Sequence, residues 1–136
     1  MKMNPVVHFE MAAEDKQRMV DFYTNTFGWQ AQQLGPEMGN YVVVQTTETD
    51  ENGMIKQPGA INGGIYVKGK SEQGTHIVIS VDNLQESMEK VKTAGGQILG
   101  GQGGSEFDDI PGVGLYVTFI DTEGNHVGML QPNTPA

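Results

Sequence analysis

The feature that most constrains the fold is an internal repeat with a period of 68 residues, half of this 136-residue chain. Shifting the sequence by 68 positions superimposes residues of like character: His8 on His76, Asp15 on Asn83, Val20 on Met88, and Gly28 on Gly96. Each copy reads as a strand containing a histidine, then a capping residue, an amphipathic helix and a glycine. Because solenoid repeats are shorter, about 20–50 residues, the chain is predicted to be one domain, residues 1–136, built from a duplicated unit.

The apolar pattern predicts the same order of elements, βαβββ, in each half. In module one, residues 4–70, strands are predicted over 6–11, 29–34, 41–47 and 60–67, and a helix over 15–27. In module two, residues 74–131, strands are predicted over 76–81, 97–99, 113–120 and 125–131, and a helix over 83–94. Residues 48–58 and 100–112 read as loops, and residues 121–124 as a hairpin turn. The predicted fold class is therefore α+β, with two βαβββ modules.

Side chains alternate along a strand, so the first strand of each module has two different faces. His8 and Glu10 share one face, whereas Phe9 and Met11 share the other. The equivalent strand of module two places His76 opposite a face of Ile77, Ile79 and Val81. The apolar faces are predicted to pack beneath the helices, where the first helix offers a stripe of Met19, Phe22, Tyr23 and Phe27. The mixed faces are predicted to line a small-molecule cavity between the modules.

Composition narrows the possible partners. Eight Lys and Arg against 17 Asp and Glu give a net charge of −9, which disfavours nucleic acid and anionic membrane surfaces. The absence of cysteine excludes disulfide scaffolds and thiol nucleophiles. No apolar run approaches the ~18 residues of a membrane span, and the first residues lack the apolar region of a secretory signal. We therefore expect a cytoplasmic protein.

Several of these motifs resemble one known family. His8 with Asp15, Phe22-Tyr23 and Phe27-Gly28-Trp29, on paired βαβββ modules, resemble the glyoxalase/bleomycin-resistance/extradiol-dioxygenase superfamily, also called vicinal oxygen chelate. Residues 76–83 are similar to the start of the second module of glyoxalase I, and residues 121–125 to the family's Asp-Pro-Asp-Gly-Asn turn. The resemblance covers residues 4–131 and implies the fold, a small-molecule ligand and a homodimer. It does not imply one activity, because this scaffold carries many.

The resemblance also implies where a metal would be held. In glyoxalase I each module supplies one ligand from its first strand and one carboxylate from its fourth. The first-strand ligands correspond to His8 and His76, whereas the carboxylates correspond to Gly128 and to a position on or beside Gly63. Two imidazoles fall short of the three or four protein ligands of a stable site. We therefore expect no cofactor. The alternative is a divalent metal ion held by both histidines, with Glu10 as substitute ligand or general base.

The remaining candidates are side chains that could contact a ligand: Trp29, Tyr41, Asn62, Tyr66, Tyr116 and His126. Aromatic rings can stack on a planar ligand, although such residues often belong to a core, and His126 shares a strand face with Gly128. Three functions stay open at this point. They are a metal-free small-molecule-binding protein, a metal-dependent lyase, isomerase or dioxygenase, and a non-enzymatic stress or regulatory subunit.

Overall fold

The computed structural model describes residues 1–68, 74–101 and 104–133. The chain divides into two compact units, His8–Thr75 and Met1–Val7 with His76–Ala136, and we keep the names module one and module two for them. The first seven residues thus group with module two. The backbone N–H of Ser80 donates to the carbonyl of Pro5 over 2.9 Å, and the Lys2 ammonium lies 3.0 Å from the Asp82 carboxylate.

Module one contains four strands and one α-helix among its described residues. They are β1 (Val6–Ala13), α1 (Lys16–Phe27), β2 (Gln30–Gln33), β3 (Val42–Gln45) and β4 (Asn62–Val67). The strand order is β2-β3-β4-β1, in which β1 and β4 run parallel and the other pairs antiparallel. A single 3-10 turn, Pro36–Met38, connects β2 to β3.

Module two repeats this arrangement with one addition. Its elements are β5 (His76–Ser80), α2 (Leu84–Thr93), β6 (Gln97–Gly100), β7 (Asp108–Ile110), β8 (Gly114–Ile120) and β9 (His126–Pro132). The order is β5-β9-β8-β6, and β7 pairs with β8. The predicted α+β class is confirmed. Strand β7 corrects the prediction of a loop over 100–112: its three residues are too few and too polar to show a strand period, and they extend because β8 offers hydrogen-bonding groups beside them.

Both helices begin and end where the sequence signals predict. The side chain of Asp15 accepts a hydrogen bond from the backbone of Arg18 over 3.1 Å, and Asn83 accepts from Glu86 over 3.0 Å. Each side chain satisfies one of the backbone donors that a helix start leaves unpaired. Helix α1 ends at Gly28, whose φ of 73° is a left-handed conformation that glycine adopts without steric cost.

Each module buries its own apolar cluster between helix and sheet. The module one cluster consists of Ala13, Val42, Val44 and Ile65, and the module two cluster of Val81, Leu84, Met88, Val117, Phe119, Val127 and Met129. Phe9 and Met11 pack on the first cluster, and Ile79 on the second, as predicted.

Three residues predicted to be buried are instead exposed. Phe22 is 55% and Phe27 60% exposed, because Met19 and Val20 are the helix residues that meet the core and the two phenylalanines pack against other rings at the surface. Ile77 is 44% exposed, since only the later residues of β5 pack on the module two cluster.

Candidate functional site

Two of the predicted site residues lie beside a glycine on the polar face of module one. In the parallel pairing of β1 with β4, His8 is opposite Asn62 and Glu10 is opposite Gly64. Residues that face each other across a ladder project to the same side of the sheet, so these four positions share one face. Gly64 is therefore the position at which a fourth-strand carboxylate would stand next to His8.

This register refines the expectation that placed the lost carboxylate on or beside Gly63. Gly63 is opposite Phe9 and belongs to the apolar face. A Cβ added there would lie 2.6 Å from the Phe9 ring and 2.6 Å from its carbonyl oxygen. Glycine at 63 is thus required by packing against the core, whereas Gly64 faces the candidate site.

The side chain of Tyr41 fills the space that a residue larger than glycine would need at position 64. A Cβ built on Gly64 would overlap the Tyr41 hydroxyl and ring. The same hydroxyl lies 3.0 Å from His8 Nε2, and it also makes a hydrogen bond with the Glu10 carboxylate. The sequence predicted His8, Glu10 and Tyr41 separately, and the structure joins them through one hydroxyl group.

The electrostatics of this cluster keep its phenols neutral. Burial raises the pKa of Tyr41 far above its usual value, and the negative charge and hydrogen bond of Glu10 raise it further. Burial also raises the pKa of Tyr66, and Glu10 adds to that shift. Both tyrosines therefore keep their hydroxyl proton at physiological pH, and Tyr41 can donate it.

This hydrogen bonding fixes the role of the His8 imidazole. A tyrosine hydroxyl carries one proton, and an ionised carboxylate can only accept. If Tyr41 donates to Glu10, its oxygen must accept from His8, so the Nε2 atom of His8 carries a proton. A protonated ring nitrogen has no lone pair with which to bind a metal. In this arrangement His8 donates a hydrogen bond through the atom nearest to position 64.

The other module one candidates have identifiable contacts. Tyr66 donates from its hydroxyl to the carbonyl of Gly74 over 3.3 Å. The side-chain oxygen of Asn62 accepts from the backbone of Thr46 over 2.8 Å, which anchors the end of β3. Trp29 packs on the apolar cluster, 4.7 Å from the Tyr23 ring in a stacked arrangement, and the structure does not bring it to the Tyr41 hydroxyl.

Module two contains an equivalent pairing. His76 Nε2 lies 3.4 Å from the hydroxyl of Tyr116, and His76 is buried. A Cβ built on Gly128 would overlap that hydroxyl, and Gly128 is opposite Val78 in the parallel pairing of β5 with β9. Both modules thus combine a first-strand histidine, a fourth-strand glycine and a tyrosine that fills the glycine's side-chain space. They differ in that Val78 stands where module one has Glu10.

His126 also lies on the Gly128 side of β9, since the two are separated by two residues. Its Nδ1 atom is buried and makes no hydrogen bond within the described part of the chain. The expectation of an exposed residue after the turn is therefore wrong, because His126 already belongs to β9 and is half-buried. The ring is held within the sheet face rather than in the turn.

The residues of each module do not fit the metal centre that the family resemblance implies. The two acid positions are glycines, and tyrosine hydroxyls occupy the space in which carboxylates would stand. Within the described ranges, no group of three or more His, Asp or Glu side chains is placed to hold a metal ion. The imidazoles have exchanged carboxylate neighbours for phenol neighbours, so the donor set favours hydrogen bonding over metal coordination.

A separate open groove of about 550 Å³ runs along α1 in module one. Arg18, Phe22 and Lys68 are among its lining residues, and none of the predicted site residues line it. The groove lies on the helix side of the module, so it is distinct from the face that carries His8.

Comparison with known families agrees with this architecture. Residues 6–129 match the family model described as the Glyoxalase/Bleomycin resistance protein/Dioxygenase superfamily, and the chain therefore belongs to this family. A glyoxylase-like domain-containing protein of Didymella fabae is 31% identical over 124 residues, which cover 85% of this chain and 84% of that protein.

Solved structures with the same fold include proteins of different function. A hypothetical protein of Bacillus halodurans superimposes with a TM-score of 0.63 at 15% identity, covering 99% of both chains. Methylmalonyl-CoA epimerase of Mycobacterium tuberculosis gives a TM-score of 0.63 at 11% identity, covering 95% of this chain and 88% of that one. At these identities the likeness extends to the fold. No helix in the described ranges is long and apolar enough to cross a membrane.

Proposed function

We propose that this protein binds a small organic molecule through the polar sheet face of module one and does so without a divalent metal. The observation that supports this proposal is the Tyr41 hydroxyl, which fills the side-chain space of Gly64 and hydrogen-bonds to both His8 and Glu10. These groups form a connected polar network of the kind that orients a ligand.

The groups on this face define how a ligand would be held. Tyr66 presents an aromatic ring next to the Glu10 carboxylate, since the charge of Glu10 acts on its phenol. Tyrosine combines an apolar ring with a polar tip, and such side chains recognise planar molecules that carry hydrogen-bonding groups. In module two Tyr116 and His126 offer the same two chemistries. We assign Asn62 and Trp29 to supporting the framework around these residues.

The absence of a metal requirement is tested with the wild-type protein. Purified protein is stripped with a chelator, and Zn²⁺, Ni²⁺ and Mn²⁺ are titrated by calorimetry, with elemental analysis of the protein as purified. We expect less than a tenth of an equivalent bound. Tight binding of one equivalent that disappears in a His8→Ala, His76→Ala double variant would overturn the proposal.

Ligand binding is tested by NMR with three chemically distinct probes: catechol, a glutathione thioester and bleomycin. We expect at least one to shift the amide signals of residues near Tyr41, and Glu10→Gln or Tyr41→Phe to weaken its affinity about tenfold or more, as loss of a buried polar contact does. Asn52→Ala, in the exposed 48–58 segment, is the matched control. Equal affinity in all variants would exclude this face as the binding site.

A second candidate function is proton transfer by Glu10. The observation that favours it is the hydrogen bond from Tyr41, which orients the carboxylate on the face that also carries His8. Its test is exchange of the acidic C–H proton of methylmalonyl-CoA in D₂O. Exchange that is lost in Glu10→Gln would establish this activity, and no exchange above background would exclude it for that substrate.

A further inference from the structure

We propose that Tyr41 closes a latent divalent-metal site in module one, made of His8, Glu10 and position 64, and that exchanging the Tyr41–Gly64 pair for Ala and Glu would open it. This inference rests on the proposed metal-free function, because it assigns the tyrosine as the group that replaced a ligand. Its subject is a site that the present sequence keeps in a hydrogen-bonded form.

The backbone at Gly64 would accept a side chain. Gly64 lies inside β4, and its φ is outside the left-handed region that only glycine adopts readily. The three atoms nearest to a Cβ built there all belong to the Tyr41 side chain. Glycine at this position is therefore required by one neighbouring ring, and removal of that ring removes the obstacle.

Gly63 and Gly114 are different in this respect. A Cβ on Gly63 would meet the backbone carbonyl of Phe9 as well as its ring, and Gly114 has a φ of 148°. Backbone atoms cannot move aside as a side chain can, so those two glycines are fixed by the fold. Gly64 is fixed only by the identity of residue 41.

A glutamate at position 64 would complete a plausible donor set within one module. His8, Glu10 and residue 64 lie on one face of two adjacent parallel strands. One imidazole with two carboxylates gives three protein ligands, the number found in catalytic sites that keep a position for water. Loss of the Tyr41 hydroxyl would also remove the acceptor that holds a proton on His8 Nε2, so that this nitrogen could coordinate.

Module two contains the same combination, which argues against a chance packing of one tyrosine. Tyr116 fills the side-chain space of Gly128 and faces His76, and Gly128 also has no left-handed φ. However, Val78 replaces the third donor. The equivalent exchange in module two would supply only two ligands from these positions, and it therefore serves as an internal control for the first.

The experiment uses the metal alone as probe. Tyr41→Ala/Gly64→Glu is titrated with Zn²⁺ and Ni²⁺ by calorimetry and with Co²⁺ by absorption, after circular dichroism and thermal melting have shown that it folds. We expect one equivalent bound at least about 100-fold more tightly than by wild type. Tyr41→Ala/Gly64→Gln keeps the volume without the charge, and Tyr116→Ala/Gly128→Glu has one donor fewer; both should bind at least tenfold more weakly.

The outcomes separate this inference from the proposed function. Wild type that already binds one equivalent overturns the metal-free function, whatever the variants do. A folded double variant that binds no more tightly than wild type overturns the latent site. Equal binding by Tyr41→Ala alone would also overturn it, because position 64 would then not be a ligand. If the glutamate variant does not fold, Tyr41→Ala/Gly64→Asp supplies a shorter carboxylate, and the same comparisons apply to it.

Discussion

The two modules share the arrangement around their histidines but differ in how firmly each is built. Helix α2 buries Leu84 and Met88 completely or nearly so, whereas helix α1 has no fully buried residue among its twelve. At the position that corresponds to Leu84 under the 68-residue shift, module one has Lys16. The duplicated fold therefore tolerates a helix that is well packed in one copy and loosely packed in the other.

This difference teaches that framework and site have been kept by different constraints. The histidine, the glycine and the tyrosine recur in both copies, although the cores behind them do not match residue for residue. Module one, with the smaller buried cluster, holds the only carboxylate among the paired positions facing Gly64 and Gly128. The less firmly packed copy thus carries the more polar site.

The largest expected effect tests this difference in packing. Leu84→Ala removes a fully buried side chain from α2 and should lower the free energy of unfolding by about 2–5 kcal/mol. Val20→Ala, in half-buried surroundings on α1, should cost about 1 kcal/mol. Urea unfolding followed by circular dichroism measures both. Equal losses would show that the two helices are packed alike.

The sequence predicted the elements better than it predicted contacts. Hydrophobic period and capping residues located every helix and strand except β7, because those signals act over neighbouring residues. The contact between Tyr41 and His8 joins residues 33 positions apart, and it depends on the register of strands that no local pattern specifies. The glycines were recognised as lost ligands, but the rings that fill their space could not be read from spacing.

One further correspondence between the modules was readable and was missed. Asp50 and Asp121 each begin an Asp-x-x-Gly turn, with Gly53 at φ 80° and Gly124 at φ 87°. The prediction treated residues 48–58 as an unstructured loop, because eight residues separate Gly53 from β4 whereas only one separates Gly124 from β9. Insertions after a turn hide a repeat that a fixed 68-residue shift would otherwise align.

A smaller effect distinguishes the two tyrosines. Tyr41→Phe leaves Glu10 and His8 without a shared partner and should destabilise the protein by about 1–3 kcal/mol. Tyr116→Phe should cost about 1 kcal/mol or less, because its contact with His76 is longer, 3.4 Å against 3.0 Å. Urea unfolding at pH 7 measures the difference, and a larger loss from Tyr116→Phe would reverse the ranking of the two sites.

The pH dependence sharpens the same comparison. The pKa of Tyr41 is raised in the folded state, so its contribution to stability is fully present below the unfolded value of about 10 and is lost as pH rises above it. Wild type should therefore lose more stability between about pH 9 and pH 11 than Tyr41→Phe does. Melting temperatures across this range provide the measurement, and parallel curves would contradict the raised pKa.

The smallest expected effect concerns the two Asp-x-x-Gly turns. One carboxylate oxygen of Asp121 accepts from the backbones of Glu123 and Asn125 over 2.8 and 2.9 Å, and the other accepts from the Asn125 side chain over 3.0 Å. The side chain of Asp50 accepts from two backbone donors through one oxygen. Asp121→Asn should therefore lower the melting temperature at pH 7 more than Asp50→Asn does, although both changes should be small at such exposed sites.

The effect of Asp121 should also disappear in acid. Hydrogen bonds from Asn125 and Glu123 lower the pKa of the Asp121 carboxyl, so its contribution is present above the unfolded value of about 3.9 and is lost as pH falls through the lower folded value. The gap in melting temperature between wild type and Asp121→Asn should close over that interval. A gap that stays constant from pH 7 to pH 2 would mean that the turn depends on the shape of the side chain and not on its charge. The duplicated turns would then differ only in the number of hydrogen bonds that each aspartate accepts.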